Sequence, residues 1–131
     1  EVGGFCEDFV FALEETDLAW RLIDAGWRID YGADLLAYHP PTAADRRSDV
    51  AERTARNRVW LARRNLPWPV GAVYVLTWLA IGIIRSRLAP KRIAALIRGT
   101  CAGLSGRGGY RHPIRWLTVG RLTRLGRPPI I

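Results

Sequence analysis

Every carboxylate in this chain precedes Arg53. Twelve Asp and Glu lie between Glu1 and Glu52, opposed there only by Arg21, Arg28, Arg46 and Arg47. From Arg53 to Ile131 there are sixteen Lys and Arg and no acid. A reversal of sign this complete predicts two parts with different surroundings. The total of 131 residues suits one domain, and 49% hydrophobic residues mark a globular chain rather than a disordered one. Two cysteines, Cys6 and Cys101, are too few for a disulfide scaffold and read as free thiols of a reducing compartment. Together with His39 and His112 they show no zinc-site spacing. The opening Glu1-Val2-Gly3-Gly4-Phe5 has neither Met nor a signal peptide and reads like the middle of a domain. The expectation is a fragment whose upstream part is missing.

Periodicity divides the first part into a helix and two strands. Glu14 to Ala25 places Leu18, Leu22 and Ala25 on one face, and Gly26 stops it, which predicts a helix. Trp27-Arg28-Ile29-Asp30-Tyr31 alternates apolar and polar residues, the pattern of a half-buried strand. Leu35-Leu36-Ala37-Tyr38 reads as a short buried strand, ended by His39 and by Pro40-Pro41, which forbid regular continuation. Val50 to Asn65 is Arg-rich and compatible with a helix. Lys91 to Leu104 predicts an amphipathic basic helix, and Ile114 to Leu125 a shorter one, with a Gly-rich loop between them.

Between Asn65 and Ile84 stand twenty residues without a charge. The apolar portion, Val70 to Ile84, would reach about 22 Å as a helix, short of the ~30 Å hydrocarbon core of a bilayer. Arg63 and Arg64 precede it, and Arg85, Arg87, Lys91 and Arg92 follow, so flanking charge sets no orientation. A basic, Trp-containing helical part without carboxylates suits an anionic membrane surface. An interfacial or re-entrant hairpin with Lys91–Leu104 is the favoured arrangement, with a single short membrane span as the alternative.

Chemistry concentrates in Glu14-Glu15-Thr16-Asp17-Leu18. Acids at a helix start gain from the local dipole, and a carboxylate held there can act as a general base toward a hydroxyl. A solvated helix start explains the same residues without chemistry. Asp17 and Arg21, at i and i+4, form a natural ion pair. His39 stands at the end of the second expected strand, where sites on open α/β sheets gather.

Gly3-Gly4-Phe5, Glu7, Phe9, the run Glu14-Glu15-Thr16-Asp17-Leu18-Ala19-Trp20-Arg21-Leu22, Gly26-Trp27-Arg28-Ile29 and Tyr38-His39 together resemble the acceptor-side half of family 2 glycosyltransferases. Arg56-Asn57-Arg58 is similar to the C-terminal region of that family. The likeness covers about residues 3–65 and is nearest to bacterial rhamnosyl- and galactofuranosyl-type enzymes that build cell-surface polysaccharides. It implies an α/β fold, the C-terminal part of a GT-A-type domain over 1–49, followed by a mostly helical, membrane-associated tail over 50–131 with its apolar segment at 66–84.

The resemblance also implies roles. Glu15 would be the general base, and His39 a ligand to a divalent metal (Mg or Mn) holding the donor diphosphate. Glu14 and Asp17 would shape the acceptor site, Trp20 and Arg21 would brace the helix or line that site, and Gly3 and Gly4 would let the backbone approach the sugar. The reaction would be an inverting transfer from a nucleotide-sugar donor to a hydroxyl of a lipid-linked or polysaccharide acceptor. The Asp-x-Asp element and nucleotide pocket of the family are not in this sequence, so the chain alone is expected to be inactive. Three positions depart from the family pattern: Cys6 stands where Asp is frequent, Ala33 where Pro is frequent, and Glu15 where many members have Asp.

Two readings without catalysis compete. One is a membrane anchor, which leaves the acid-rich first part unexplained. The other is a nucleic-acid module, in which the cations neutralise phosphates while Trp60, Trp68, Tyr110 and Trp116 stack on bases. No known reading motif is present, and the uncharged stretch 65–84 is out of place on a nucleic-acid surface.

Overall fold

The computed structural model describes residues 2–10, 12–38, 47–106 and 108–130. All regular elements among them are helical. After a single 3-10 turn at Glu7–Phe9 come α1 (Glu14–Asp24), α2 (Arg47–Asn65), α3 (Trp68–Arg85), α4 (Pro90–Ser105) and α5 (Trp116–Arg124). The expected α/β architecture of GT-A type is therefore overturned: among the described residues there is no strand. Residues 27–31 and 35–38 form no ladder, and their side chains face solvent, with Tyr31 at 94% and Tyr38 at 95% exposure. The reason is hydrogen bonding. A strand exists only when a neighbour accepts and donates along its edge, and no other described segment runs beside these two.

Helix ends follow local chemistry. Gly26, at φ +93°, closes α1: its N–H donates to Ile23 and the N–H of Trp27 to Leu22, satisfying two terminal carbonyls in a Schellman arrangement. Gly126 closes α5 in the same way, with Arg127 donating to Leu122. Pro69 and Pro90 sit in the first turns of α3 and α4, where the missing N–H costs nothing. That tolerance lengthens α3 beyond the expected apolar run. Its 18 residues rise about 27 Å, and the helix is long and apolar enough to cross a membrane by length and composition.

The core draws on both sides of residue 50. Phe9 and Trp20 pack with Leu61, Ala62, Leu66, Tyr74, Ile114 and Leu122 in one cluster. Trp20 meets Tyr74 edge-on at 6.0 Å, and Phe9 meets Trp60 at 6.3 Å, geometries that favour the aromatic quadrupoles. Burying these rings compensates for the small apolar content of α1.

The closest helix contact is α2 against α4. Ala95, Gly99 and Gly103 recur every fourth residue and are all buried. A Cβ on Gly103 would lie 2.6 Å from Val59 Cβ and 2.8 Å from the Arg56 carbonyl oxygen, and one on Gly99 would collide with the Glu52 carbonyl. The stripe of small residues thus lets two backbones approach within a distance no side chain permits. By contrast α3 buries only Gly71 and Tyr74, and Trp68, Leu76 and Ile84 remain 77, 66 and 76% exposed.

Replacing Gly99 or Gly103 by Val should therefore cost at least about 3 kcal/mol, the upper range for overpacking. Gly120 faces open space within α5, so Gly120→Ala should be neutral or stabilising by up to about 1 kcal/mol. Denaturation midpoints of the three variants test both statements.

Candidate functional site

The acids of α1 divide by helical position. Asp17 is wholly buried. Its Oδ2 accepts from Arg21 Nη2 at 2.6 Å and Nε at 3.0 Å, and its Oδ1 accepts from Arg64 Nε at 2.8 Å and Asn65 Nδ2 at 2.6 Å. One carboxylate thereby joins α1 to the C-terminal end of α2. Arg21 extends the network, donating to the carbonyl of Gly4 at 2.8 Å and to that of Val2. Arg64 donates to the Tyr110 carbonyl at 3.2 Å. The Asp17–Arg21 pair expected from spacing is present, but its partners Arg64 and Asn65 come from 47 and 48 residues away.

Next to this node the terminal carbonyls of α2 are fully used. The N–H of His112 donates to Arg64 and that of Ile114 to Asn65, each at 2.8 Å, while the Arg111 guanidinium takes the Arg63 and Leu66 carbonyls. A helix end buried under a strap of chain needs such partners. Three guanidinium groups at the C-terminal end also match the negative end of the helix dipole.

Glu14 and Glu15 are adjacent and so diverge around the helix. Glu15 is exposed, whereas Glu14 is half-buried, with an Oε2 that meets no donor among the described residues. Both stand in the first turn, where carboxylates are favoured. The loop that presents them is strained. Val10, Ala12 and Leu13 have φ of 50, 69 and 74°, a region costing non-glycine residues of order 1–3 kcal/mol each. Asn57, buried in α2, holds that loop by donating Nδ2 to the carbonyls of Phe9 at 2.9 Å and Ala12 at 3.0 Å. Arg56 in turn donates to Asn57 Oδ1 and stacks over Trp60 at 4.2 Å.

Each residue expected at the site can now be placed. Glu15 lies on the open surface of the first turn. Asp17 and Arg21 are spent on each other and on the fold. Trp20 belongs to the core, and so braces the helix rather than lining a site. Gly3, at φ +69°, and Gly4 are exposed, and Arg21 fixes the Gly4 carbonyl. His39 lies outside the described residues. Among the described residues no three His, Cys, Asp or Glu gather as a metal-binding group, so the described part supplies no ligand set for the expected divalent ion. Arg64 and Asn65 were missed as partners of the acid cluster. The one signal for them is that an Arg-Asn pair ends a helix in a part without carboxylates.

A second acid fastens α5. Asp24 Oδ1 accepts from the Thr118 hydroxyl at 2.5 Å and from the Arg115 N–H at 2.8 Å. Arg115 is the residue that opens α5, so the carboxylate caps that helix. Burial opposes ionisation of Asp24, but the Thr118 hydroxyl and the Arg115 N–H and guanidinium outweigh it and hold the carboxyl below its usual range.

Cavities open elsewhere on the surface. One, of about 670 Å³, lies between α2, α3 and α4, and another of about 550 Å³, lined in part by Tyr110, adjoins it. Glu15 lines neither.

Asp17→Ala removes one partner of a buried ionic network and should cost about 3–5 kcal/mol, read as a lower denaturation midpoint. For Asp24, a depressed folded-state pKa means that its contribution is complete above ~3.9, the unfolded value, and is lost as pH falls through the lower folded value. The stability difference between wild type and Asp24→Asn should be constant above about pH 5 and vanish in strong acid; a difference that persists there contradicts the cap. No family model, curated protein or solved structure matches the chain.

Proposed function

We propose that this chain is the acceptor-side part of a glycosyltransferase working at an anionic membrane surface, with Glu15 as general base. The observation that carries the reading is the state of Glu15: an exposed carboxylate in the first turn of α1, on a helix locked through Asp17 and behind a strained loop clamped by Asn57. Backbone strain maintained by surrounding contacts is characteristic of functional sites. The resemblance over residues 3–65 supplies the reaction class.

Glu15 takes the proton of an acceptor hydroxyl as its oxygen forms the new bond to the anomeric carbon of the donor. The bond from that carbon to the nucleotide diphosphate breaks, and the diphosphate departs with the electron pair. An exposed acid on a rigid helix suits this task, since the base has to reach the hydroxyl without moving the backbone.

A membrane-surface location is supported by α3, whose Trp68, Leu76 and Ile84 side chains are left exposed, and by Arg85, Arg87, Lys91 and Arg92 at its end. The cytoplasmic face follows from the nucleotide-sugar donor. Without Glu15 chemistry the same features describe a membrane-binding module alone, and one experiment separates the two. In a protein carrying the donor-binding half, Glu15→Gln should lower transfer to a lipid-linked or polysaccharide acceptor by about 10²–10⁴-fold, with donor affinity unchanged. Full turnover in that variant leaves only the membrane-binding module.

A further inference from the structure

Two adjoining cavities meet along three shared residues, Arg63, Trp68 and Arg111. On one side is the groove of about 670 Å³ between α2, α3 and α4, within the size range of small-molecule sites. Val59, Leu66, Val75, Leu76, Leu79 and Leu104 form its walls, and apart from Arg63, Arg111 and Thr100 no charged or hydroxyl side chain lines it. From Trp68 to Leu79 the groove follows roughly 16 Å of α3. On the other side, the cavity of about 550 Å³ is lined by Trp60, Arg64 and Tyr110 besides the shared residues, with no acid.

We infer that this pair of cavities is a binding site for a single anionic lipid, with its chain in the groove and a phosphoryl head between Arg63 and Arg111. The two halves demand opposite chemistries of one ligand, and an amphiphile is the class that supplies both. The sign of the head is set by charge complementarity. Among the described residues neither guanidinium meets a carboxylate; both donate only to backbone carbonyls, Arg63 to Gly103, Leu104 and Gly106, and Arg111 to Arg63 and Leu66. Those carbonyls fix where the two cations point but leave their charge unneutralised by any acid. Arg63 Nε and Nη2 and Arg111 Nε retain donors for phosphate oxygens, which a guanidinium binds by charge-assisted hydrogen bonds. Trp68, at 77% exposure on the boundary, stands where the chain would enter. This site is separate from Glu15 and does not depend on the transferase reading.

Hexadecyl phosphate, added below its micelle threshold to the whole protein, tests the proposal by calorimetry. One molecule should bind per chain, about tenfold more tightly than hexadecanol, the ratio expected of about 1.4 kcal/mol from the head. Inorganic phosphate should not displace it. Arg63→Gln with Arg111→Gln should bring hexadecyl phosphate down to the affinity of hexadecanol, whereas Ala72→Phe, which fills the groove, should weaken both. Displacement by inorganic phosphate alone would reduce the site to an anion patch and overturn the proposal. Equal affinity for hexadecyltrimethylammonium, or an Ala72→Phe variant that binds as well as wild type, overturns it too. Should the double arginine variant lose helicity, because both residues cap helices, the wild-type ligand series and Ala72→Phe decide the matter.

Discussion

The Asp17 carboxylate has no access to water, and that constraint organises the molecule. An ionised acid in such a place persists only with partners for its lone pairs, and here Arg21, Arg64 and Asn65 supply four donated contacts. Each partner then fixes something further. Arg21 holds the Val2 and Gly4 carbonyls, Arg64 holds the strap at Tyr110, and Asn65 ties the carboxylate to the last turn of α2. The N-terminal loop, α1, the end of α2 and the 108–114 strap are thus positioned by one buried charge. Asp24, two turns further along α1, repeats the device at the entrance to α5.

Segregation of charge along the sequence becomes pairing in space. Asp17 with Arg64, Asp24 with Arg115 and Glu52 with Arg98 each join an acid of the first part to a base of the second. Exposed pairs such as Glu52–Arg98 contribute little energy, whereas the buried one specifies which surfaces meet. Among the described residues most cations find no acid, because there are too few. Cations without an acid and the exposed apolar side chains of α3 underlie both the membrane reading and the lipid site.

Helices were legible because their signals are local. The apolar face of 14–25 and the stop at Gly26 act within a turn or two of chain. Strands were misread for the opposite reason: alternation in Trp27–Tyr31 describes which way side chains point, whereas a strand is made by a neighbouring edge that the pattern does not encode. At the candidate site the Asp17–Arg21 pair was visible as an i,i+4 spacing, but Arg64 and Asn65 belong to it only through tertiary contact. Burial also separated residues that the motif treats alike. Asp17 and Trp20 carry the fold, while Glu15, two positions from Asp17, faces solvent. The stripe Ala95, Gly99 and Gly103 was written plainly in the sequence, yet its meaning depends on how closely α2 approaches.

The contacts that secure α1 span long stretches of chain, and this orders assembly in time. Arg115 and Thr118 lie 91 and 94 residues beyond Asp24, whereas α2, α3 and α4 follow one another through short connections. During synthesis at about 5–20 residues per second, α1 leaves the ribosome roughly 5–20 s before its last partner exists. The central helices can associate in that interval, and α1 with the end of α2, through contacts spanning about half that length of chain, which are cheaper to close. Asp24 meanwhile stays hydrated. The hold of α1 on α5 is thus the last of its described contacts to form, although α1 is made before the other four helices.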